Sequence, residues 1–151
     1  LSLDYSVRWR AKNMWGLAFG AGGQTSPHIL PTSERVSFGG TRFGRGYRSG
    51  EAAGDQGLGA SLEANRMFIR PNGKWLKTIE PFVLYEHAKT WFHQSSWQGQ
   101  KLQSTSVGLR LSDSKHYALD LAVSKPHGDK SPINPQQKLR YSLVLNYNFD
   151  M

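Results

Sequence analysis

The residues with the greatest capacity for chemistry lie in one glycine-rich stretch, Phe38-Gly39-Gly40-Thr41-Arg42-Phe43-Gly44-Arg45-Gly46-Tyr47. Its glycines permit backbone conformations closed to other residues, so the segment can fold tightly. It has no Gly-Lys-Ser/Thr ending, so it is not a phosphate-binding P-loop. Nor does it run from a strand into a helix, as a dinucleotide fingerprint does. Two readings stay open: a flexible, solvated Arg/Gly loop, or a loop that tucks into a barrel and is anchored there by an arginine.

The other reactive side chains form no catalytic pattern. His28, His87, His93, His116 and His127 lack paired metal spacing. His87 and His93 share a strand side but stand about 20 Å apart by strand rise. No serine sits in a Gly-x-Ser-x-Gly elbow. Glu80 and Glu86 share a face, too far apart for the paired carboxylates of glycoside hydrolysis. The absence of cysteine removes disulfides, Cys-based metal sites and Cys nucleophiles. Neither an enzyme nor a bound cofactor or metal is expected.

The elements that would position these residues are strands. Apolar residues return at period two, and helical periodicity is nearly absent. Tyr5 to Gly23 predicts a strand or hairpin, with large apolar residues alternating with Gly or Ala in Trp15-Gly16-Leu17-Ala18-Phe19-Gly20. Residues 24–56 form a loop rich in Arg, Gly, Ser and Pro. Loops of that length are usually functional or disordered. Gly57 to Arg70 is a strand, Pro71-Asn72-Gly73-Lys74 a turn, and Lys77 to Phe92 another strand. Ser95 to Gln103 reads as a loop. Ser104 to Leu111, His116 to Lys125 and Lys138 to Phe149 alternate again, with a loop at Pro126 to Gln136. That makes about six long antiparallel strands. Their polar faces carry small and charged residues, while aromatics gather near strand ends, as in membrane barrels.

The 151 residues carry a formal charge of +8 without a run of five like charges. Scattered charge suits solvated loops and a polar lumen. No stretch approaches the roughly 18–20 apolar residues of a spanning helix, which leaves a barrel open because its strands are short and alternate. Leu1 to Tyr5 reads as mid-strand sequence rather than a signal peptide, so the chain is expected to be a segment of a larger protein.

Gly44-Arg45-Gly46-Tyr47 resembles the Val-Arg-Gly-Phe/Tyr loop signature of two-partner secretion transporters and of the related outer-membrane assembly proteins. Phe38-Gly39-Gly40 precedes it at the family's spacing. Gly54-Asp55-Gln56-Gly57 looks like the Gly-Asp-x-Gly start of the next strand, followed by Ser61-Leu62-Glu63. Leu84-Tyr85-Glu86-His87-Ala88 resembles the family's Phe-x-Asp-x-Gly segment. Residues 119–126 and 141–149 resemble the last two strands of the secretion branch. Gly44 stands where the family has Val, Glu86 where it has Asp, and Ala88 where it has Gly. The chain ends Phe149-Asp150-Met151 instead of on the aromatic residue.

The resemblance covers roughly residues 35–151 and implies an all-β fold. This would be an antiparallel transmembrane β-barrel of sixteen strands, with this chain supplying about the last six. The whole of 1–151 would be the C-terminal part of that one barrel domain, with upstream strands and POTRA domains outside it. The arginine of the inward-folded loop, Arg45, would pair with the strand acid Glu86, the planar guanidinium fork matching a carboxylate. Gly44, Gly46 and Tyr47 would shape the loop tip. Tyr147 and Phe149 would carry the C-terminal strand signal. The implied function is a translocation pore in the outer membrane of a Gram-negative bacterium, secreting a large partner exoprotein such as a haemolysin, adhesin or toxin. Its partners would be that exoprotein, outer-membrane lipid and the barrel assembly machinery, with no nucleic acid. Two alternatives remain: a barrel-inserting assembly factor, and a soluble basic β module binding nucleic acid or polysaccharide.

Overall fold

A computed structural model describes residues 1–93, 98–131 and 134–148. Seven long strands form one antiparallel sheet: β1 (Ser2–Arg10), β2 (Trp15–Gln24), β5 (Gln56–Arg66), β7 (Thr78–Trp91), β8 (Lys101–Ser112), β9 (Tyr117–Pro126) and β10 (Arg140–Tyr147), hydrogen-bonded in that order. Two-residue β6 (Phe68–Ile69) pairs with β7, and the ribbon β3 (Val36–Phe38) with β4 (Ala52–Gly54) forms a separate small sheet. No α-helix occurs among the described residues. The sheet is open, with β1 and β10 as its edges.

The strand count corrects the expected six. Residues 5–23 hold parts of two strands, because the chain reverses at Met14, whose φ of 67° turns the β1–β2 hairpin. Strand β8 begins at Lys101, inside the stretch read as loop. The remaining elements fall near their expected places.

Connections 11–14, 67–77 and 113–116 share one end of the sheet, the short end, because two of them are four-residue turns. Connections 25–55, 92–100 and 127–139 share the other, which holds the longest. At the short end Asp113 closes the β8–β9 turn by accepting the N–H groups of Lys115, His116 and Tyr117 at 2.9, 2.7 and 3.0 Å. Aromatics collect there too. The Arg66 guanidinium lies over the rings of Trp15 and Phe68, and Tyr117 pairs with Tyr147 across β9–β10.

The two faces of the sheet differ in burial and in polarity. One apolar row crosses all seven strands in register: Trp9, Leu17, Ala64, Val83, Val107, Val123, Tyr141. Its large members are exposed, with Val107 at 57% and Tyr141 at 74%. The opposite face carries Glu63, Asn65, Glu80, Glu86, Ser104, Ser106 and Ser124, and these polar side chains are buried. The long loop covers that polar face.

Candidate functional site

The loop is first fixed at its base. Asp55, just before β5, is nearly fully buried. Its Oδ1 accepts the Leu30 N–H at 3.0 Å and the Arg35 Nε–H at 3.3 Å, and its Oδ2 accepts the His93 N–H at 3.2 Å. Burial alone would raise this carboxyl's pKa. The two backbone donors and the Arg35 guanidinium outweigh it and hold the group below the usual carboxylate range. One side chain thus ties the start of the loop, its ascending limb and the end of β7.

Next, the loop brings its own apolar side chains down onto the sheet. Val36, Phe38, Tyr47 and Ala52 pack with Ala88 of β7 and Leu102 of β8, and Phe43 meets Phe38 edge-on at 5.8 Å. The strands are shaped to receive them. A Cβ on Gly59 would overlap the Phe43 ring, and one on Gly57 would come within 2.7 Å of Phe38. Glycine here gives a flat seat where a ring lies against backbone. The Tyr47 hydroxyl accepts the Gly128 N–H at 2.8 Å, joining the loop to the β9–β10 connection. Burial pushes that phenol above its usual pKa.

The tip, residues 39–47, is a compact double turn. Gly39 and Gly40 have φ of 117° and 64°, and Gly40 N–H donates to the carbonyls of Gly44 and Tyr47. Gly46 lies against Pro126 and Ser104, where a side chain would collide. Glu86 serves this turn. Its carboxylate Oε2 accepts the backbone N–H of Arg45 at 2.7 Å and the Ser104 hydroxyl at 3.0 Å, and the residue is 3% exposed.

The expected pairing of the Arg45 guanidinium with Glu86 is therefore corrected. The two residues meet, but through the Arg45 main chain. The guanidinium extends past Glu86 to Asp120 on β9, with Nη1 to Oδ1 at 3.0 Å. Arginine is long enough for its backbone and its head group to meet different acids, and Asp120 is already placed by Arg110.

Arg110 is the hub of this cluster. It forks onto Glu63, with Nη1–Oε1 at 2.7 Å and Nη2–Oε2 at 2.5 Å. It also reaches Glu80 at 2.8 Å and Asp120 at 3.2 Å. Arg10 of β1 adds a second contact to Glu80 at 3.0 Å. The connected set holds Arg10, Arg45 and Arg110 against Glu63, Glu80 and Asp120, so its formal charges cancel. Both Arg45 and Arg110 lie over the buried Phe82 ring, their Cζ atoms 5.4 and 4.1 Å from its centroid. Charges on a partly buried face persist when paired and hydrogen-bonded, and this set meets that condition.

Of the residues read from sequence, the structure brings Gly44, Arg45, Gly46 and Tyr47 together over Glu86, and places Gly54, Asp55 and Gly57 at the loop base. Tyr147 stands apart, exposed on the apolar face of β10. Phe149 lies outside the described residues. Sequence reasoning missed Asp120, Arg110, Glu63, Glu80 and Arg10 as anchor residues. The signal was present for Glu63, Arg110 and Asp120, each the one charged residue on the polar register of its strand, whereas Arg10 shares its register with Asp4 and Arg8 and Glu80 shares its with Glu86.

The loop seat and charge cluster can position a loop. Among the described residues no group of three or more His, Asp or Glu side chains is arranged to hold a metal.

No family model matches the chain. No solved structure matches it. One curated protein is similar. This is the heme/hemopexin transporter protein HuxB of Haemophilus influenzae, 29% identical over 135 residues. The match takes in 86% of this chain and 23% of HuxB, so the chain spans about a quarter of that relative's length. This similarity is compatible with the two-partner secretion resemblance without being specific to it.

Proposed function

We propose that the chain is the closing section of an outer-membrane β-barrel that translocates a secreted partner protein, with residues 25–55 folded into the lumen. One observation carries the reading: the sheet exposes its apolar face across all seven strands and sets a charge-balanced network of guanidinium and carboxylate groups, with Glu63 and Glu80 buried, on the opposite face. A soluble sheet would do the reverse, whereas a barrel in lipid turns apolar residues outward and polar ones inward.

Three further features support it. The longest connection, 25–55, lies at one end and both four-residue turns lie at the other, as in barrels with extracellular loops and periplasmic turns. Aromatic residues form a belt at the turn end. The two free edges, β1 and β10, call for further strands, because an open edge in lipid leaves backbone groups without partners. By the resemblance, those strands complete a sixteen-stranded barrel.

The similarity to a transporter agrees in kind. In this reading the cargo is an unfolded exoprotein drawn outward as it folds at the surface, without nucleotide. Arg45 and Asp120 hold the loop tip, Glu86 shapes it, and Asp55 fixes its base.

The test uses the full-length protein with its cargo in intact cells. Removing the Arg45 anchor by Arg45→Ala is expected to leave the barrel in the outer membrane and to lower cargo secretion at least tenfold. Wild-type secretion by this variant, or recovery of the protein in the soluble fraction, counts against the proposal.

A further inference from the structure

Three lysines stand on the apolar face where its hydrophobic band ends, on the side of the long connections. Lys89 of β7 and Lys101 of β8 are directly opposite each other in register. Lys125 of β9 faces the same way, opposite Thr105. All three are exposed. Like charges set directly across a strand pair are destabilising. Yet none of the three makes an ion pair with an acid among the described residues. Asp129 is close by, but its Oδ2 accepts the backbone N–H of Lys101 at 2.7 Å. His87, on the same face, is joined through Nδ1 to Gln103 Nε2 at 3.1 Å.

Beside the lysines the face is recessed. Leu58, Ala60, His87, Lys89 and Trp91 line a hollow of about 340 Å³. A second hollow shares Leu58 and Trp91 and continues over Leu3, Tyr5 and Ala21. The small residues Ala60 and Ala21 leave the depth, while Leu58 and Trp91 provide apolar walls. An apolar shelf with Lys89 on its rim, Lys101 opposite Lys89 and Lys125 farther along the same face matches one kind of molecule, with hydrocarbon chains at one end and negative charge at the other.

We propose that Lys89, Lys101 and Lys125 bind the anionic phosphates of a lipid headgroup in the outer leaflet, Lys89 and Lys101 sharing one and Lys125 meeting another, with its acyl chains on the Leu58–Trp91 shelf. This rests on the barrel reading above, which puts the long-connection end at the cell surface. Lysine serves as a compact, rotatable point charge for phosphate. The repulsion between Lys89 and Lys101 is then relieved by the ligand they share.

The test compares full-length wild type with Lys89→Gln/Lys101→Gln/Lys125→Gln, each inserted into phosphatidylcholine nanodiscs. Bound lipid is counted by native mass spectrometry with bisphosphorylated or dephosphorylated lipid A. Each lysine near an anionic surface contributes about fivefold in affinity, so the triple variant should hold bisphosphorylated lipid A on the order of a hundredfold more weakly. Dephosphorylated lipid A should be held alike by both proteins. If the triple variant does not insert, Lys101→Gln alone carries the test, with a loss of about fivefold. Equal retention of bisphosphorylated lipid A by wild type and variant overturns the site. Competition by inorganic phosphate as effective as that of lipid A makes it a phosphate site and also overturns the assignment. A wild-type protein that never enters nanodiscs overturns the barrel reading and this inference together, whereas an inserted barrel indifferent to its lysines overturns this inference alone.

Discussion

Arg45 and Asp120 lie 75 positions apart in the chain and 3.0 Å apart in space, while the backbone N–H of the same arginine is held at 2.7 Å by Glu86. One residue thereby joins two acids through two different groups. Its side chain is replaceable without touching the Glu86 contact, so the two links are separable by mutation.

A double-mutant cycle in the full-length protein separates them. Arg45→Ala and Asp120→Ala should be coupled by about 1–3 kcal/mol in urea unfolding, reduced from a fully buried pair because both side chains keep some exposure. Arg45→Ala and Glu86→Ala should add nearly independently, because alanine still offers its N–H. Strong coupling in the second cycle and none in the first would restore the pairing that the resemblance implied.

Phe43 makes a second case. Its backbone sits in the left-handed region at φ 51°, and its ring fills the space over Gly59. Gly59→Val puts a side chain where the ring lies. Limited proteolysis of loop residues 35–48 should accelerate at least tenfold while the gel mobility of the folded protein is retained. Unchanged proteolysis would mean that the ring is not seated there.

Asp55 gives a pH dependence with a defined sign. Its folded pKa lies below the ordinary aspartate value of 3.8, so the folded state releases this proton more readily than the unfolded state does. Its contribution to stability is full above that value and is lost as pH falls below it toward the folded pKa. Hydrogen exchange at the Leu30 and His93 amides, corrected for intrinsic rates, should therefore accelerate only at pH below about 3.8. Asp55→Asn should make exchange at both amides faster at neutral pH and abolish the acid step. Equal protection in wild type and variant at neutral pH would remove Asp55 from the loop base.

The exposed apolar row predicts a cost for charge. On the proposed barrel reading, Val107→Arg, in the middle of that row, should destabilise the protein by about 2–4 kcal/mol in lipid. Reduced outer-membrane levels and loss of heat-modifiable gel mobility report it. A variant as stable as wild type would mean that Val107 does not face lipid.

Much of this was legible in the sequence. Period-two alternation located β5, β7, β9 and β10 to within a few residues, and the glycine-rich composition marked 24–56 as one long loop. The turn at residues 11–14 was marked only by the short polar break Lys12-Asn13 between Trp9 and Trp15, too brief to separate one long strand from a hairpin. The true partner of Arg45 was hidden for another reason. Asp120 reaches the site only through the register Glu80–Arg110–Asp120 across three strands. Strand register depends on pairing across long connections, which local pattern does not specify. Family resemblance supplied the nearer acid, and the length of the arginine side chain selected the farther one.

The most direct test of the account reads which side of each strand meets lipid. The chain has no cysteine, so cysteines placed singly at Val107, Leu143, Ser61 and Ser142 can each carry one fluorophore within this segment of the full-length protein in vesicles. Brominated lipid should quench the labels at Val107 and Leu143 and spare those at Ser61 and Ser142, whereas quenching without alternation, or none at any position, would contradict a lipid-facing sheet with its loop held inside.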